Sequence, residues 1–583
     1  MRVTEDKFGS AEESYQHHCD DKDKIVVLKF GSSVLKEPSS VKDVVTELYR
    51  YSRQGIKLVV VVSAFDGETD QLFREAEQFS VNATSRHLPR LIMTGEEKSA
   101  AMLALACDKT GLNVRIVSAR EIGLAADGEV GDAHPNAVDT KALKNILTDF
   151  EAVIVPGFIG TSENGEPVLF GRGGSDLTAV FLANALGLKS VTFIKDVDGV
   201  FDRDPAEDTD GSAKRYDAIS WQHAISTSDQ LLQQKAVLLA EKKALPISVA
   251  RLNSAKGTIV KDKTIAPNMV ASDTSLSVGI AGLGVVGGGV AQRVAAENNH
   301  HFKFSSVLVS DRNKKRDVKL TSSNIFDDVD AFLNTGCDLV VDALSCGETG
   351  AVLTEKALER GMSVISANKQ ALAGQLAAFH QLAEKNGAKL LYSAAVGGGS
   401  PMVETVARAR QQGNVIAIDA IVNGTVNFIL TAMGDGLSFA DAVKEAQDVG
   451  FAEADPTADL SGLDAKAKAS ILAYEAWGVE PNDAGFSAQA LDEVLANDLV
   501  SQTGTWRQLT RISRKQSGDV TADVKFENVE EVPLFRSAAN EANVLRATMD
   551  TGEIFTCRGR GAGRVATVES ILADLGVILR GED

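Results

Sequence analysis

Residues 275–297 read SLSVGIAGLGVVGGGVAQRVAAE, and this stretch decides the fold of the C-terminal half. An apolar run, a glycine-rich turn and a helix-period segment follow one another, which predicts strand, tight turn, helix. Gly282, Gly284 and Gly287 form G-x-G-x-x-G in that context. The first glycine permits the turn, the second lets backbone approach a pyrophosphate, and the third lets helix pack on strand. Val285 and Val286 open the helix, whose N-terminal N–H groups stabilise phosphate. The next apolar run, 306–310, ends in Asp311-Arg312-Asn313-Lys314-Lys315-Arg316. Asp311 is placed to accept from a ribose 2′-hydroxyl, which favours NAD. Arg312 and the basic residues after it could instead hold a 2′-phosphate, which favours NADP. The two signals conflict, and the reading leans to NADP.

Outward from this unit, short apolar runs at 25–28, 58–62, 153–155, 191–194, 277–280, 339–342 and 363–366 alternate with amphipathic stretches. Such runs between helices are the pattern of parallel sheets in α/β proteins. A chain of 583 residues exceeds what one core supports, so several domains are expected. Residues 1–23 are a polar tail in which His17, His18 and Cys19 have no companion cluster. One domain is expected over 24–262, a polar linker with Pro267 over 263–275, and a second unit from 276 onward.

A net charge of −20 argues against a nucleic-acid partner. No apolar run approaches the ~18 residues of a membrane span, and the N-terminus has no signal-peptide core. The five cysteines are scattered and never form CxxC. This fits a reducing, cytoplasmic setting without disulfides.

In the N-terminal half there is no G-x-x-x-x-G-K-[ST] loop and no protein-kinase signature set. Lys29-Phe30-Gly31-Ser32-Ser33 instead closes the first strand, where a lysine and backbone N–H groups can meet a transferring phosphate. Ser63-Ala64 with Thr69 follows the next strand, and Gly95-Glu96 opens a helix that carries Ser99. Gly171-Arg172-Gly173-Gly174-Ser175-Asp176 precedes a helix expected from about Leu177, and Lys195-Asp196-Val197-Asp198-Gly199 leads to Asp204. Loops at the carboxyl ends of parallel strands are where such sheets bind ligands.

In the C-terminal half, Ala367-Asn368-Lys369 closes a strand, 392–401 is a glycine-rich loop, and Asn423-Gly424-Thr425 precedes Asn427. Residues 450–472 read GFAEADPTADLSGLDAKAKASIL. Carboxylates there suit a substrate ammonium group, and a lysine beside a reacting oxygen can pass a proton.

Residues 276–583 resemble the homoserine dehydrogenase family through these blocks in this order. The resemblance implies a Rossmann NAD(P)-binding domain over 276–400, an α+β substrate and dimerisation domain over 401–558, and a segment, 559–583, returning to the nucleotide. It implies hydride exchange between NAD(P)H and aspartate semialdehyde. Lys369 and Lys468 would be catalytic, with Lys369 also on the cofactor side. Glu453, Asp459 and Asp464 would hold substrate, and Ser345 and Gly561 would border the cofactor. Backbone carbonyls of Val396 and Gly398 would bind a monovalent cation, although Ser393 stands where the family has glutamate.

Residues 24 to about 261 resemble the amino-acid kinase family, and aspartate kinase within it, which implies a three-layer αβα domain using ATP and Mg²⁺. Lys29 would stabilise the γ-phosphoryl group and Asp176 orient it. Glu96, Arg172, Ser63 and Thr69 would hold the amino-acid substrate. Gly31, Ser32, Lys195, Asp196, Asp198, Gly199 and Asp204 would border the nucleotide. The loop after Lys29 is one residue short, as in glutamate 5-kinase, and Ser228–Gln233 lacks the family's lysine. A glutamate-type kinase or an inactive assembly module are therefore alternatives, while the fused dehydrogenase favours aspartate. Both families imply a homodimer or homotetramer. With only 261–275 between the units and nothing comparable after Asp583, no paired regulatory module is expected, hence no inhibition by lysine or threonine.

Overall fold

The computed structural model describes residues 25–79, 85–205, 208, 212–227, 231–254, 256–269, 275–296, 301–314, 324–452, 455–561 and 563–582. Residues 1–23, Lys315, Arg316 and Glu453 lie outside the described residues.

The strands Ile25–Phe30 and Lys57–Val62 are apolar on both faces because helices cover both. Val27, Val59 and Val61 pack with Leu177 and Ala236 of the helices Gly174–Ala185 and Gln234–Lys242. Val26, Leu28, Val60 and Val62 point the other way, toward Val44 and Leu103 of the helices Val41–Arg53 and Leu88–Thr110. This two-residue alternation makes the expected three-layer αβα domain. Its main sheet runs Ala218–Ser220, Gly257–Lys261, Ile247–Arg251, Val191–Lys195, Ile25–Phe30, Lys57–Val62, Ala152–Pro156, Val114–Ile116. Only the Ile247–Arg251 and Gly257–Lys261 pair is antiparallel. The carboxyl ends of Ile25–Phe30 and Val191–Lys195 therefore lie side by side.

Two boundaries differ from expectation. The linker is shorter than 263–275, because Asn268–Met269 pairs antiparallel with Lys214–Arg215 and belongs to the first domain. A two-residue ladder leaves no periodic signal. The helix expected from Leu177 begins at Gly174, which puts Asp176 in its first turn, where the helix dipole favours a carboxylate.

In the second unit six parallel strands run Ile325–Phe326, Phe302–Leu308, Leu276–Ala281, Leu339–Asp342, Ser363–Ser366, Leu390–Leu391. In chain order this is 3-2-1-4-5-6, the doubly wound dinucleotide-binding arrangement. A mostly antiparallel six-stranded sheet follows, with Val415–Ile421 and Ala542–Met549 adjacent near its middle. The helices Met402–Gln412 and Leu463–Trp477 join the first sheet to the second through one core. The last helix, Arg564–Arg580, returns to pack Val568, Ile571 and Leu575 against Val278, Ile280 and Val290. It also touches the helix Val41–Arg53 of the first domain, and its Ala573 sits in that domain's core. Among the described residues no helix is long and apolar enough to cross a membrane.

Candidate active sites

In the first domain Lys29 and Lys195 end neighbouring parallel strands, so their side chains rise together toward the Gly174–Ala185 helix. Lys29 Nζ lies 2.5 Å from Asp176 Oδ1 and Lys195 Nζ lies 3.7 Å from Asp176 Oδ2. All three are buried. Burial raises Asp176, but Lys195 and Lys29 outweigh it and hold the carboxyl below its usual range. Burial, with Lys29 adding to it, brings Lys195 down to about 8. Two ammonium groups thus share one carboxylate, and the surplus positive charge suits a phosphoryl group. A Cβ on Gly31 would stand 2.7 Å from Lys29 Nζ, so glycine lets the amine fold over the loop. The shortened loop closes as Val34 and Leu35 donate to the Gly31 carbonyl.

Gln233, in the segment that departs from the kinase pattern, lies beside the turn at Gly173, and its backbone N–H helps hold the Asp176 carboxyl low. Any residue type supplies that donor, which is why side-chain identity gave no warning of it. Lys235 pairs with Asp132 and donates to the Phe170 carbonyl beside Gly171. Asp196 and Asp198 form loose pairs with Lys36 and Arg251, each at 4.0 Å, while Ser32, Arg172 and Asp204 are exposed at the rim.

Glu96 lies on the helix that packs against Ser63-Ala64 at the end of the Lys57–Val62 strand. Ser99, on the same helix, donates to the Ser63 carbonyl at 2.7 Å. Thr69 lies half-buried on the helix Glu68–Glu77. Burial pushes Glu96 up to about 8, and its Oε2 has no hydrogen-bond partner. The folded state therefore retains a proton that the unfolded chain gives up near 4.5. That contribution to stability is complete below the lower value and is lost as pH rises through about 8. Glu96→Gln is expected to flatten the fall in Tm between about pH 5 and about pH 8 in thermal melts, relative to the parent chain.

The second cluster lies at the carboxyl edge of the doubly wound sheet. Asp464 and Lys468 sit one turn apart on Leu463–Trp477, and Lys369 opens the short helix after Ser363–Ser366. Asp464 Oδ1 is 3.0 Å from Lys369 Nζ and its Oδ2 is 2.7 Å from Lys468 Nζ. Lys468 also donates to the Val422 carbonyl at 2.8 Å. Burial raises Asp464, but the two lysines outweigh it and hold it low. Asp459 accepts from Asn423 at 3.1 Å, and burial together with Asp464 pushes it up to about 6. Asn368 is pinned by the Cys346 carbonyl and Ser366, and Ser366 by Asp342, which orients the turn carrying Lys369. Asn543, which no local pattern singled out, donates to the same Val422 carbonyl as Lys468 and fills the space beside Gly561. Its partner is 121 residues away in sequence.

The glycine turn has room for a dinucleotide. A Cβ on Gly287 would collide with the Gly282 carbonyl, and one on Gly282 would stand 2.5 Å from the Ala343 carbonyl. At Gly284 nothing lies within 4 Å, so the protein itself does not require glycine there, whereas a close-approaching pyrophosphate does. Val285, 68% exposed, borders the same opening. Asp311 accepts from the Asn313 N–H at 2.8 Å, and Arg312 lies 3.9 Å from Asp327, all at the surface.

Residues 282–393 match the NAD-binding domain of homoserine dehydrogenase and 401–575 the homoserine dehydrogenase family proper. The homoserine dehydrogenase of Neisseria gonorrhoeae is 30% identical over 314 residues, covering 52% of this chain and 71% of that protein. The NAD(+)-dependent homoserine dehydrogenase of Pseudomonas canavaninivorans is 32% identical, over 41% of this chain and 70% of its own length. The chain belongs to the homoserine dehydrogenase family. Its residues 24–251 match the amino acid kinase family. The aspartokinase of Geobacillus stearothermophilus is 32% identical over 41% of this chain, and the chain spans 59% of that relative's length. A solved homoserine dehydrogenase from Thiobacillus denitrificans aligns with 26% identity and a TM-score of 0.47, covering 53% of this chain and 74% of that one.

The cation expected at the Val396 and Gly398 carbonyls fits poorly. Ser393 brings no carboxylate to the loop, and its hydroxyl donates to Asp574 at 2.8 Å. Asp574 is in turn paired with Arg53 at 2.6 Å.

Proposed function

We propose that this chain phosphorylates L-aspartate to 4-phospho-L-aspartate with ATP at one site. At the other it interconverts L-aspartate 4-semialdehyde and L-homoserine with NAD(P). The carrying observation is a pair of lysine–carboxylate clusters of opposite balance. Lys29 and Lys195 around Asp176 leave net positive charge, suited to a transferring phosphoryl group. Lys369 and Lys468 are balanced by Asp464 and Asp459, suited to a zwitterionic amino acid.

At the kinase site Lys29 neutralises charge growing on the γ-phosphoryl oxygens, and Asp176 holds both lysines in place. Asp176 has each oxygen facing a lysine, so Mg²⁺ is read as arriving on the nucleotide phosphates. Glu96 and Arg172 receive the amine and α-carboxylate of aspartate. At the dehydrogenase site the nicotinamide, when bound, supplies or takes the hydride. One of the lysines held by Asp464 gives the proton to the developing alkoxide, and Asp459 and Asp464 hold the substrate's hydroxyl and ammonium groups. Asp311 reads the ribose: its carboxylate accepts a 2′-hydroxyl, while Arg312 attracts the 2′-phosphate of NADP. The fused dehydrogenase favours aspartate over glutamate, since aspartate leads chemically to the semialdehyde.

Between Gly257–Lys261 and Leu276–Ala281 lie only residues 262–275, too few for an inserted effector-binding module. A two-assay panel tests the reading: ADP release with aspartate against glutamate, and homoserine oxidation with NAD and NADP separately. Aspartate-dependent turnover indifferent to added lysine and threonine, beside homoserine oxidation, is expected. ADP release that prefers glutamate, or inhibition by either amino acid near millimolar, would overturn the corresponding part.

A further inference from the structure

The kinase helix Val41–Arg53 lies against the C-terminal helix Arg564–Arg580, and the groups between them are charged and buried. Arg53, 4% exposed, places Nη1 2.6 Å from Asp574 Oδ1 and 3.4 Å from Glu404 Oε1, and donates from Nη2 to the Ala573 carbonyl at 3.1 Å. The same Asp574 oxygen accepts from Ser393, the first residue of the glycine-rich loop. Two turns earlier on the kinase helix, Thr46 donates to Glu569. Glu569 accepts from Arg293 Nη1 at 2.9 Å, and Arg293 Nη2 reaches Asp43 at 3.1 Å. Arg293 stands on Val285–Val294, the helix that begins at the glycine turn. Three pieces of the second unit are therefore tied to this one helix: the first Rossmann helix, which begins at the glycine turn, the 393–401 loop and the returning helix.

Backbone also meets backbone at this junction. A Cβ on Gly111, the C-cap of Leu88–Thr110, would stand 2.7 Å from the Arg560 nitrogen. A Cβ on Gly399 would stand 3.1 Å from the Thr110 carbonyl. The loop and the closing strand thus rest directly on the kinase domain. A flexible tether between independent enzymes has no need of desolvated arginines or of glycines at the contact.

We propose that Arg53 is a positioning residue for the dehydrogenase, through which the kinase domain holds Asp574, Ser393 and the 393–401 loop in their nucleotide-binding arrangement. The proposal rests on the dehydrogenase reading for its turnover readout, so nucleotide binding is measured separately. Arg53→Met in the full chain is expected to raise KM for the nicotinamide nucleotide, and its Kd by fluorescence titration, about tenfold, the scale of a displaced positioning element. Aspartate phosphorylation should stay within about twofold, since Arg53 touches nothing in the kinase cluster. The double variant R53M/D574N should recover part of the loss, because Asp574 is then no longer an unpaired buried charge and only the partly exposed Glu404 is left without Arg53. R53K should fall between. If R53M fails to fold, S393A cuts the same chain without unpairing a charge and should still weaken nucleotide binding. A folded R53M with a lowered Tm but unchanged nucleotide KM and Kd would overturn the proposal and leave a merely structural clasp. So would a double variant no better than the single, or S393A with unchanged Kd. A parent chain that binds nucleotide without oxidising homoserine would defeat the proposed function, and the binding arm would still decide this one.

Discussion

Asp176→Asn is expected to cut aspartate phosphorylation by about 10³-fold, the scale of losing a preorganised electrostatic element. Homoserine oxidation in the same sample should be unchanged. Asp176 is the only carboxylate that the two ammonium groups of Lys29 and Lys195 are seen to share among the described residues, and all three are buried. Asparagine keeps the shape and removes the charge. Two uncompensated cations then repel, Lys195 loses the partner that raises its affinity for a proton, and Lys29 loses its orientation. Leaving a buried charge without its partner costs about 3–5 kcal/mol, so the kinase domain's melting transition should also fall. Lys29→Met should lose comparable activity with less stability, because the Lys195–Asp176 pair stays neutral. ADP release coupled to a melt of each variant checks both statements. Kinase turnover within about threefold of the parent in folded Asp176→Asn would remove this cluster from the mechanism.

Lys468→Ala is expected to lower homoserine kcat by roughly 10²-fold or more, the scale of a positioned proton donor, with phosphorylation intact. Lys468 holds Asp464 from one side while Lys369, a third exposed (33%), holds it from the other. Removing the inner lysine leaves Asp459 and Asp464 sharing one cation, so Asp459, already pushed up to about 6, should move further up. The pH profile of the residual activity should shift upward accordingly. Lys369→Ala should cost turnover on the same scale but leave the Val422 anchor of Lys468 in place. Parallel loss of both activities in either variant would mark a folding defect and cancel the catalytic reading.

Part of each cluster was legible because it is carried by local chemistry. Lys29 and Lys195 end apolar runs, Asp176 follows a glycine pair at a helix start, and Asp464 and Lys468 are four residues apart on one helix. Gln233 and Asn543 were not legible. The first acts through a backbone N–H that carries no residue-type signal, and the second acts on a carbonyl far away in sequence. Glu96 was visible as a carboxylate after a glycine, but its raised pKa comes from burial that a sequence does not state.

By itself, the sequence determined the two α/β units, the strand–glycine–helix nucleotide turn and the residue types of both charge clusters. These follow from two-residue and helical periodicities and from glycines whose neighbours in space are also neighbours in sequence. Tertiary structure alone decided which charges meet. It paired two lysines with Asp176, set Asp464 between Lys369 and Lys468, and drew Arg53 of the kinase helix onto Asp574, 521 residues away. Charge pairing depends on distance and burial, and across hundreds of residues both are set by how whole helices pack, not by any local pattern.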